Sequence, residues 1–233
     1  MIVCHKYRYI FLKTTKTAGT SVEIALSRFC EDGDIITPIS PVDEELRASL
    51  GGHPSQPYPA QWYEYHPLDW WRRLTKGKVK QRFYNHVPAR KVRTRLPADV
   101  WDNYYRFAIV RNPWDRVISQ YFWRCRKLPE DQRPDMDEFL ESSDVRSLMR
   151  KGFQLYSIGG QSQAHRLIRY ENLAEELDEV RRHLGLPEAL ELPKAKGGHR
   201  TDRRHYREVL NERQRDRIAE LFRDELKITG YTF

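Results

Sequence analysis

The stretch IFLKTTKTAGTSVEI at residues 10–24 constrains this chain more than any other. Apolar residues stop at Leu12, a segment of Lys, Thr and one Gly follows, and helix-forming residues resume at Val22. Strand, hydroxyl-rich loop, helix is the order that presents backbone N–H groups at a helix N-terminus, where partial positive charge favours an anion. Lys13 and Lys16 add cations beside it. A nucleotide phosphate-binding loop needs its Lys directly after the last Gly, whereas here Lys16 precedes Gly19. No acidic strand end is placed to hold Mg²⁺ against a triphosphate either. A kinase or nucleotide hydrolase is therefore the second reading of this loop.

The same order recurs along the chain. The pattern predicts a strand over 9–12 and a helix over 21–29, with Val22, Ala25, Leu26 and Phe29 on one face. It predicts another strand over 106–110, followed by RNPWDRVISQYFWRC, in which Pro113 opens a helix carrying Val117, Ile118, Tyr121 and Phe122. A third strand, 166–169, leads into a helix over 173–184 that Gly185 and Pro187 stop. The tail NERQRDRIAELFRDELKITGYTF reads as one amphipathic helix with Ile218, Leu221, Phe222 and Leu226 on one face. Strands alternating with helices predict an α/β fold with a central, mainly parallel sheet, built as one domain over 1–233. Residues 33–75 interrupt the pattern as an irregular Pro- and aromatic-rich insertion with one short helix over 42–50. Tyr58, Trp62, Tyr63, Tyr65, Trp70 and Trp71 are too many aromatics for a disordered linker, so a packed loop and candidate substrate lid is expected there.

Charge narrows the partner. Lys and Arg total 41 against 33 Asp and Glu, a net +8, which favours an anionic ligand, a nucleic acid or an anionic surface. Arg interleaved with aromatics in WWRRL and YFWRCR would also suit a nucleic-acid-binding module. Cys4, Cys30 and Cys125 are too scattered for a disulfide framework, and no His/Cys group has metal-ligand spacing, so no metal is expected. MIVCHKYRYIFL lacks the long apolar core of a signal peptide, and no window approaches the ~18 apolar residues of a membrane span. The expectation is a soluble, cytoplasmic protein.

Read together, KTTKTAGTS, AIVRNPWDRVISQY, RYENL and the basic HYRE segment resemble the PAPS-dependent sulfotransferase family over nearly the whole chain. The likeness is greatest to the branch of carbohydrate sulfotransferases and their bacterial relatives, whose loop usually reads PKTAGTS; this chain has Thr15 where that Pro stands. The resemblance implies a P-loop-NTPase-like three-layer fold. It also implies that 3′-phosphoadenosine 5′-phosphosulfate (PAPS) is the co-substrate and that its sulfuryl group passes to an acceptor hydroxyl, on a glycan or a small molecule, with no metal and no nucleic acid. A sulfuryl group carries less negative charge than a phosphoryl group, so a cation and aimed N–H donors can stabilise its transfer without a divalent ion.

By the family pattern Lys16 lies near the bridging oxygen, and Lys13, Thr17, Ala18, Gly19, Thr20 and Ser21 line the 5′-phosphosulfate. Arg111 and Ser119 hold the 3′-phosphate, Tyr170 contacts adenine, and a late basic loop with Lys196, Arg200 and Arg203 folds over the same phosphate. The family places a catalytic His or acid between the two nucleotide loops, which makes His86 in FYNHVPAR the candidate general base; His53 and His66 are the alternatives.

Overall fold

The computed structural model, which describes residues 1–193, 202 and 204–233, turns the apolar runs into strands covered on both faces. In chain order the strands are β1 (Ile2–Cys4), β2 (Tyr9–Leu12), β3 (Ile35–Ile36), β4 (Tyr105–Val110), β5 (Ser157–Ile158), β6 (Gln161–Ser162) and β7 (Arg166–Arg169). The first helices are α1 (Gly19–Ser27), α2 (Pro41–Ser49), α3 (Pro67–Lys76), α4 (Ala89–Arg95), α5 (Ala98–Asn103) and α6 (Pro113–Cys125). They are followed by α7 (Met136–Leu140), α8 (Ser143–Gln154), α9 (Leu173–Leu184), α10 (Tyr206–Val209), α11 (Glu212–Leu221) and α12 (Arg223–Thr229).

The main sheet has the order β3-β1-β2-β4-β7. β2, β4 and β7 are parallel neighbours, with Tyr9 opposite Tyr105 and Phe107 opposite Arg166. β1 runs antiparallel to both β2 and β3, so it alone opposes the common direction. Side chains alternate across the sheet. Ile10, Leu12, Ala108 and Val110 pack with α4, α5, α6, α8 and α11, while Tyr9, Phe11, Phe107 and Ile109 pack with α1 and α9. Helices thus cover both faces, which is why β1, β2 and the second half of β4 read as unbroken apolar runs. The C-terminal ends of β2, β4 and β7 lie along one edge of the sheet, where an open α/β sheet binds ligands.

Two buried ion pairs fasten the helices that leave that edge. Glu23 of α1 has no exposed surface and meets Lys13 Nζ at 2.5 Å, the Met1 amino group at 3.1 Å and Arg47 of α2 at 3.6 Å. Burial by itself would raise its pKa, but the Met1 ammonium, Lys13 and Arg47 outweigh that and hold the carboxyl at about 2. On the other face Arg116 of α6 forms a two-pronged pair with Glu225 of α12, and the Tyr156 hydroxyl donates to the same carboxylate at 3.1 Å.

Several expectations change in detail. The first helix starts at Gly19, two residues early, because Ala18 takes the left-handed conformation that opens it. The tail is two helices rather than one: Phe222, with φ −103° and ψ 19°, breaks the run, which lets Glu225 turn inward to Arg116. β1, opposite β2, was not expected from so short an apolar patch. The insertion holds more than one short helix. After α2 come a 3₁₀ turn at Trp62–Glu64 and the whole of α3, which starts with a capping box between His66 and Asp69, has Pro67 in its first turn and stops at left-handed Gly77. It is not a packed loop either: Trp62, Tyr63, Trp70 and Trp71 are exposed. Among the described residues no helix is long and apolar enough to cross a membrane.

Replacing Glu23 with Ala takes the buried carboxylate from Lys13 and leaves Arg47 with Glu44. The variant is expected to lose about 3–5 kcal/mol of unfolding free energy, measured by urea denaturation. A loss within the ~1 kcal/mol of an exposed pair would show that this cluster does not hold α1 in place.

Candidate active site

At the end of β2 the chain enters residues 13–18, and its side chains divide between the interior and the sheet edge. Lys13 turns inward to Glu23 and is 2% exposed, so its ammonium is not offered to a ligand. Thr14 donates its hydroxyl to the Ile109 carbonyl, which ties the loop to β4, and it lies 2.7 Å from the Thr17 hydroxyl. Thr17 is fully buried, its hydroxyl turned to Thr14. Lys16 (φ 64°) and Ala18 (φ 56°) are left-handed, with Thr17 between them on the ordinary side. Such alternation turns successive N–H groups toward one concavity.

That concavity continues into the first turn of α1. The first helical bond runs from Val22 N–H to the Ala18 carbonyl at 3.2 Å, and Ala18 has no side-chain cap to offer. The amides of Gly19, Thr20 and Ser21 therefore precede the hydrogen-bonded ladder, at the positive end of the helix. A Cβ at Gly19 would come within 3.0 Å of Lys13 Cγ and 3.2 Å of the Thr14 carbonyl oxygen, so the loop closes this tightly only around Gly.

The second junction follows β4. Asn112 caps α6 by accepting from Trp114 N–H at 3.0 Å, and its own N–H donates to Glu171 at 2.9 Å. Arg111 is buried and joins three strand ends. Its Nη1 donates to the Lys16 carbonyl at 2.9 Å, its Nε donates to Asp115 at 2.7 Å, and its guanidinium lies 4.2 Å over the Tyr170 ring, just past β7. These contacts leave part of its five-donor fork uncommitted. Ser119 is half-buried farther along α6. Lys16 Nζ lies 4.8 Å from the Trp123 ring on the same helix, close enough for a cation–π contact.

Of the three candidate histidines, His86 reaches the loop. Its Nδ1 lies 3.4 Å from the Lys13 carbonyl, a contact that only the Nδ1–H form can donate, which leaves the Nε2 lone pair available as an acceptor. Burial, reinforced by the Lys13 charge, lowers its pKa to about 4. His53 sits at the other end of α1, its N–H on the Ser27 carbonyl and its Nε2 3.1 Å from Asp32. His66 is exposed at the start of α3.

The fold thus gathers Lys16, Thr17, Ala18, Gly19, Thr20, Ser21, Arg111, Tyr170 and His86 at one sheet edge, with Ser119 on the adjoining helix and Lys13 turned away. Lys196, Arg200 and Arg203 lie outside the described residues. Sequence reading passed over Thr14 and Glu171, which fasten the two junctions; Glu171 also accepts from Tyr231 at 2.6 Å. Their position directly after strands in KTTKT and RYENL was the available signal. It also missed that the side-chain ligand atoms of Cys4 and of the distant pair Cys30 and Asp34 come within 4.8 Å of one another. Both Asp34 oxygens there accept backbone N–H groups, from His5 and Glu31, and the thiols face the Phe29 and Leu26 carbonyls.

A family model described as "Sulfotransferase family" matches residues 1–232. A protein of Archaeoglobus fulgidus is 28% identical over 111 residues, covering 46% of this chain and 88% of that protein. The crystal structure of a sulfotransferase from Alicyclobacillus acidocaldarius aligns over 93% of this chain and 92% of that one, at 16% identity and a TM-score of 0.39.

His86 is expected to stay uncharged down to about pH 4, as followed by NMR titration of its ring protons. The unfolded chain holds that proton near pH 6.5, so the unfolded state binds more protons between those values. His86 therefore makes stability rise with pH over that window, and its contribution is lost as pH falls through about 4. A ring that titrates at 6 or above would contradict the burial at the Lys13 carbonyl.

Proposed function

This chain belongs to the sulfotransferase family, and from that membership we propose a single cytoplasmic domain that takes PAPS as sulfuryl donor across its two loop-to-helix junctions and sulfates a carbohydrate hydroxyl without a metal. The observation that carries the reading is the 2.9 Å bond from Arg111 to the Lys16 carbonyl, which fixes the two cationic junctions against each other. A donor with an anionic group at each end of a nucleotide needs two such sites at a set spacing. The carbohydrate acceptor is supported by the KTAGTS loop, the form found in the carbohydrate branch.

The residues present suit such a donor. Amides of Gly19, Thr20 and Ser21 at an uncapped helix start, and the left-handed turn at Lys16 and Ala18, face the 5′ end. Thr17 contributes its N–H, since its hydroxyl is buried. The donor supplies the sulfuryl group and a nucleotide leaving group on which negative charge grows during transfer. Lys16 is assigned to neutralise that charge. The free part of the Arg111 fork, with Ser119, takes the 3′-phosphate while Asp115 keeps the guanidinium oriented. Tyr170, its one face under Arg111, offers its ring to adenine, and Lys196 and Arg200 complete the phosphate grip. His86 Nε2 receives the acceptor's proton. Its low pKa keeps it unprotonated at neutral pH and makes it a weak base, so that its contribution comes from position. Lys13 acts indirectly, holding α1 through Glu23 and presenting its carbonyl to His86.

Lys16→Ala is expected to lower sulfuryl transfer from PAPS by ~10²–10³-fold with an unchanged circular dichroism spectrum. Calorimetry should show 3′,5′-ADP bound without Mg²⁺ and in preference to ATP/Mg²⁺, and Arg111→Ala should weaken that binding by roughly 10–100-fold. Full turnover in the Lys16 variant, or a preference for ATP/Mg²⁺, would overturn the assignment. Product mass spectrometry over a panel of glycans, phenols and amines tests the acceptor class, and sulfation confined to phenols or amines would refute the carbohydrate reading.

A further inference from the structure

Helix α3 is amphipathic, yet its apolar side is not packed on the protein. At about 100° per residue, Pro67, Leu68, Trp70, Trp71 and Leu74 share one arc, and Asp69, Arg72, Arg73 and Lys76 share the other. The apolar arc faces solvent: Leu68 is 68% exposed, Trp71 56% and Leu74 84%, and no residue of the helix is buried. Within the polar arc Asp69 is half-buried against the neck, while Arg72, Arg73 and Lys76 are exposed. Asp69 takes the Lys80 ammonium at 2.6 Å, and the Arg73 guanidinium lies over the Tyr65 and Trp70 rings. Trp62 and Tyr63, in the turn before the helix, are exposed as well. An apolar patch of this kind on a soluble protein marks an interaction surface.

The lobe bearing this face is held on a defined neck. Ala60 N–H donates to the Lys80 carbonyl at 2.8 Å, Arg82 N–H to the Tyr58 carbonyl at 2.6 Å, and Tyr58 N–H to the Gln81 side chain at 2.8 Å. The Tyr58 ring meets Phe83 edge to face in the core, and Glu64 is tied to Arg95 of α4. The outward orientation of α3 is therefore built into the fold.

We propose that this lobe docks the protein on the surface of an anionic lipid bilayer, with Leu68, Trp71 and Leu74 entering the boundary between headgroups and acyl chains. Charge complementarity selects this occupant. Residues 61–80 hold five Lys and Arg against two acids, and both acids are already paired, Glu64 with Arg95 and Asp69 with Lys80. Arg72 flanks the apolar arc beside Leu68, and the exposed Lys76 side chain reaches back toward it, its Nζ 5.8 Å from the Trp71 ring, so that their cations meet lipid phosphates and carboxylates while the arc sinks in. Trp and Leu on one face with Lys and Arg beside them is the composition of an interfacial helix.

A glycan fits less well. A glycan site sets polar groups among its rings, whereas the hydroxyl on this arc, Thr75, is committed to the Trp71 carbonyl at 2.7 Å.

The test is co-sedimentation of the whole chain with phosphatidylcholine vesicles, with and without phosphatidylserine. The protein is expected to partition onto the phosphatidylserine vesicles with a blue shift in Trp emission, and to be partly released by salt. Leu68→Asp with Leu74→Asp should reduce partitioning at least about tenfold without changing the unfolding midpoint, since both positions are exposed. Arg72→Glu with Lys76→Glu should remove the preference for phosphatidylserine. The proposal falls if the protein ignores both kinds of vesicle, if the Leu variant partitions like the parent, or if ultracentrifugation shows a dimer that Leu74→Asp dissolves while vesicles go unbound.

Discussion

The Lys13–Glu23 ion pair sets the shape of everything at the sheet edge. Lys13 is the first residue after β2, and Glu23 lies in the second turn of α1, so their meeting inside the protein fixes how tightly the chain turns between strand and helix. The close approach of Gly19 to Lys13 Cγ and the left-handed backbone at Lys16 and Ala18 belong to the same turn. Left-handed non-Gly residues cost about 1–2 kcal/mol each, and burying charges costs several more. Such expense is tolerated only where the surroundings over-determine the geometry. Here Met1, Arg47 and Thr37 complete the shell around Glu23, with the Thr37 hydroxyl 3.0 Å away.

Arg111 does for the three strands what Glu23 does for one loop. Parallel strands are held side by side along their ladders, but nothing in a ladder fixes the loops beyond the strand ends. Arg111 supplies that missing constraint, bonding the loop after β2, the helix after β4 and the aromatic ring after β7. Arg116 shows the contrast. It is paired bidentately to Glu225 in the interior, with 1% of its surface exposed, and works only as a fastener between α6 and α12. The two guanidiniums differ in where they lie, Arg111 where three strand ends meet and Arg116 between two helices, and that difference separates a candidate ligand group from a structural one.

Where the sequence was legible, local signals agreed. Residues 9–12 are a short apolar run, 166–169 an apolar pair flanked by Arg just before a helix pattern, and 173–184 is stopped by Gly185, so each element has the predicted bounds. Long-range partners were not legible. A Lys among threonines reads as loop surface, and only the fold places Glu23 where it draws Lys13 inward. The tail keeps a helical period across Phe222, so nothing local reveals that Glu225 is needed by Arg116 of α6, or that the run must break to deliver it. His86 was found by family likeness. What makes it distinctive, a left-handed backbone and a contact to the Lys13 carbonyl, depends on chain segments 73 residues apart.

The aromatic insertion carries two separable jobs. Its neck is structural: the strand-like bonds joining 58–60 to 80–82 and the Tyr58 ring on Phe83 bring the chain back to the core just before His86, so the register of the neck decides whether that ring reaches the loop. Its lobe has no such duty, because α3 buries nothing and is fastened to the neck through Asp69 and Lys80. An apolar face that stabilises nothing in the folded chain is not accounted for by folding, so its cause must be sought in what the protein meets. The separation between neck and lobe allows such a face to exist without disturbing the sheet edge that Glu23 and Arg111 hold.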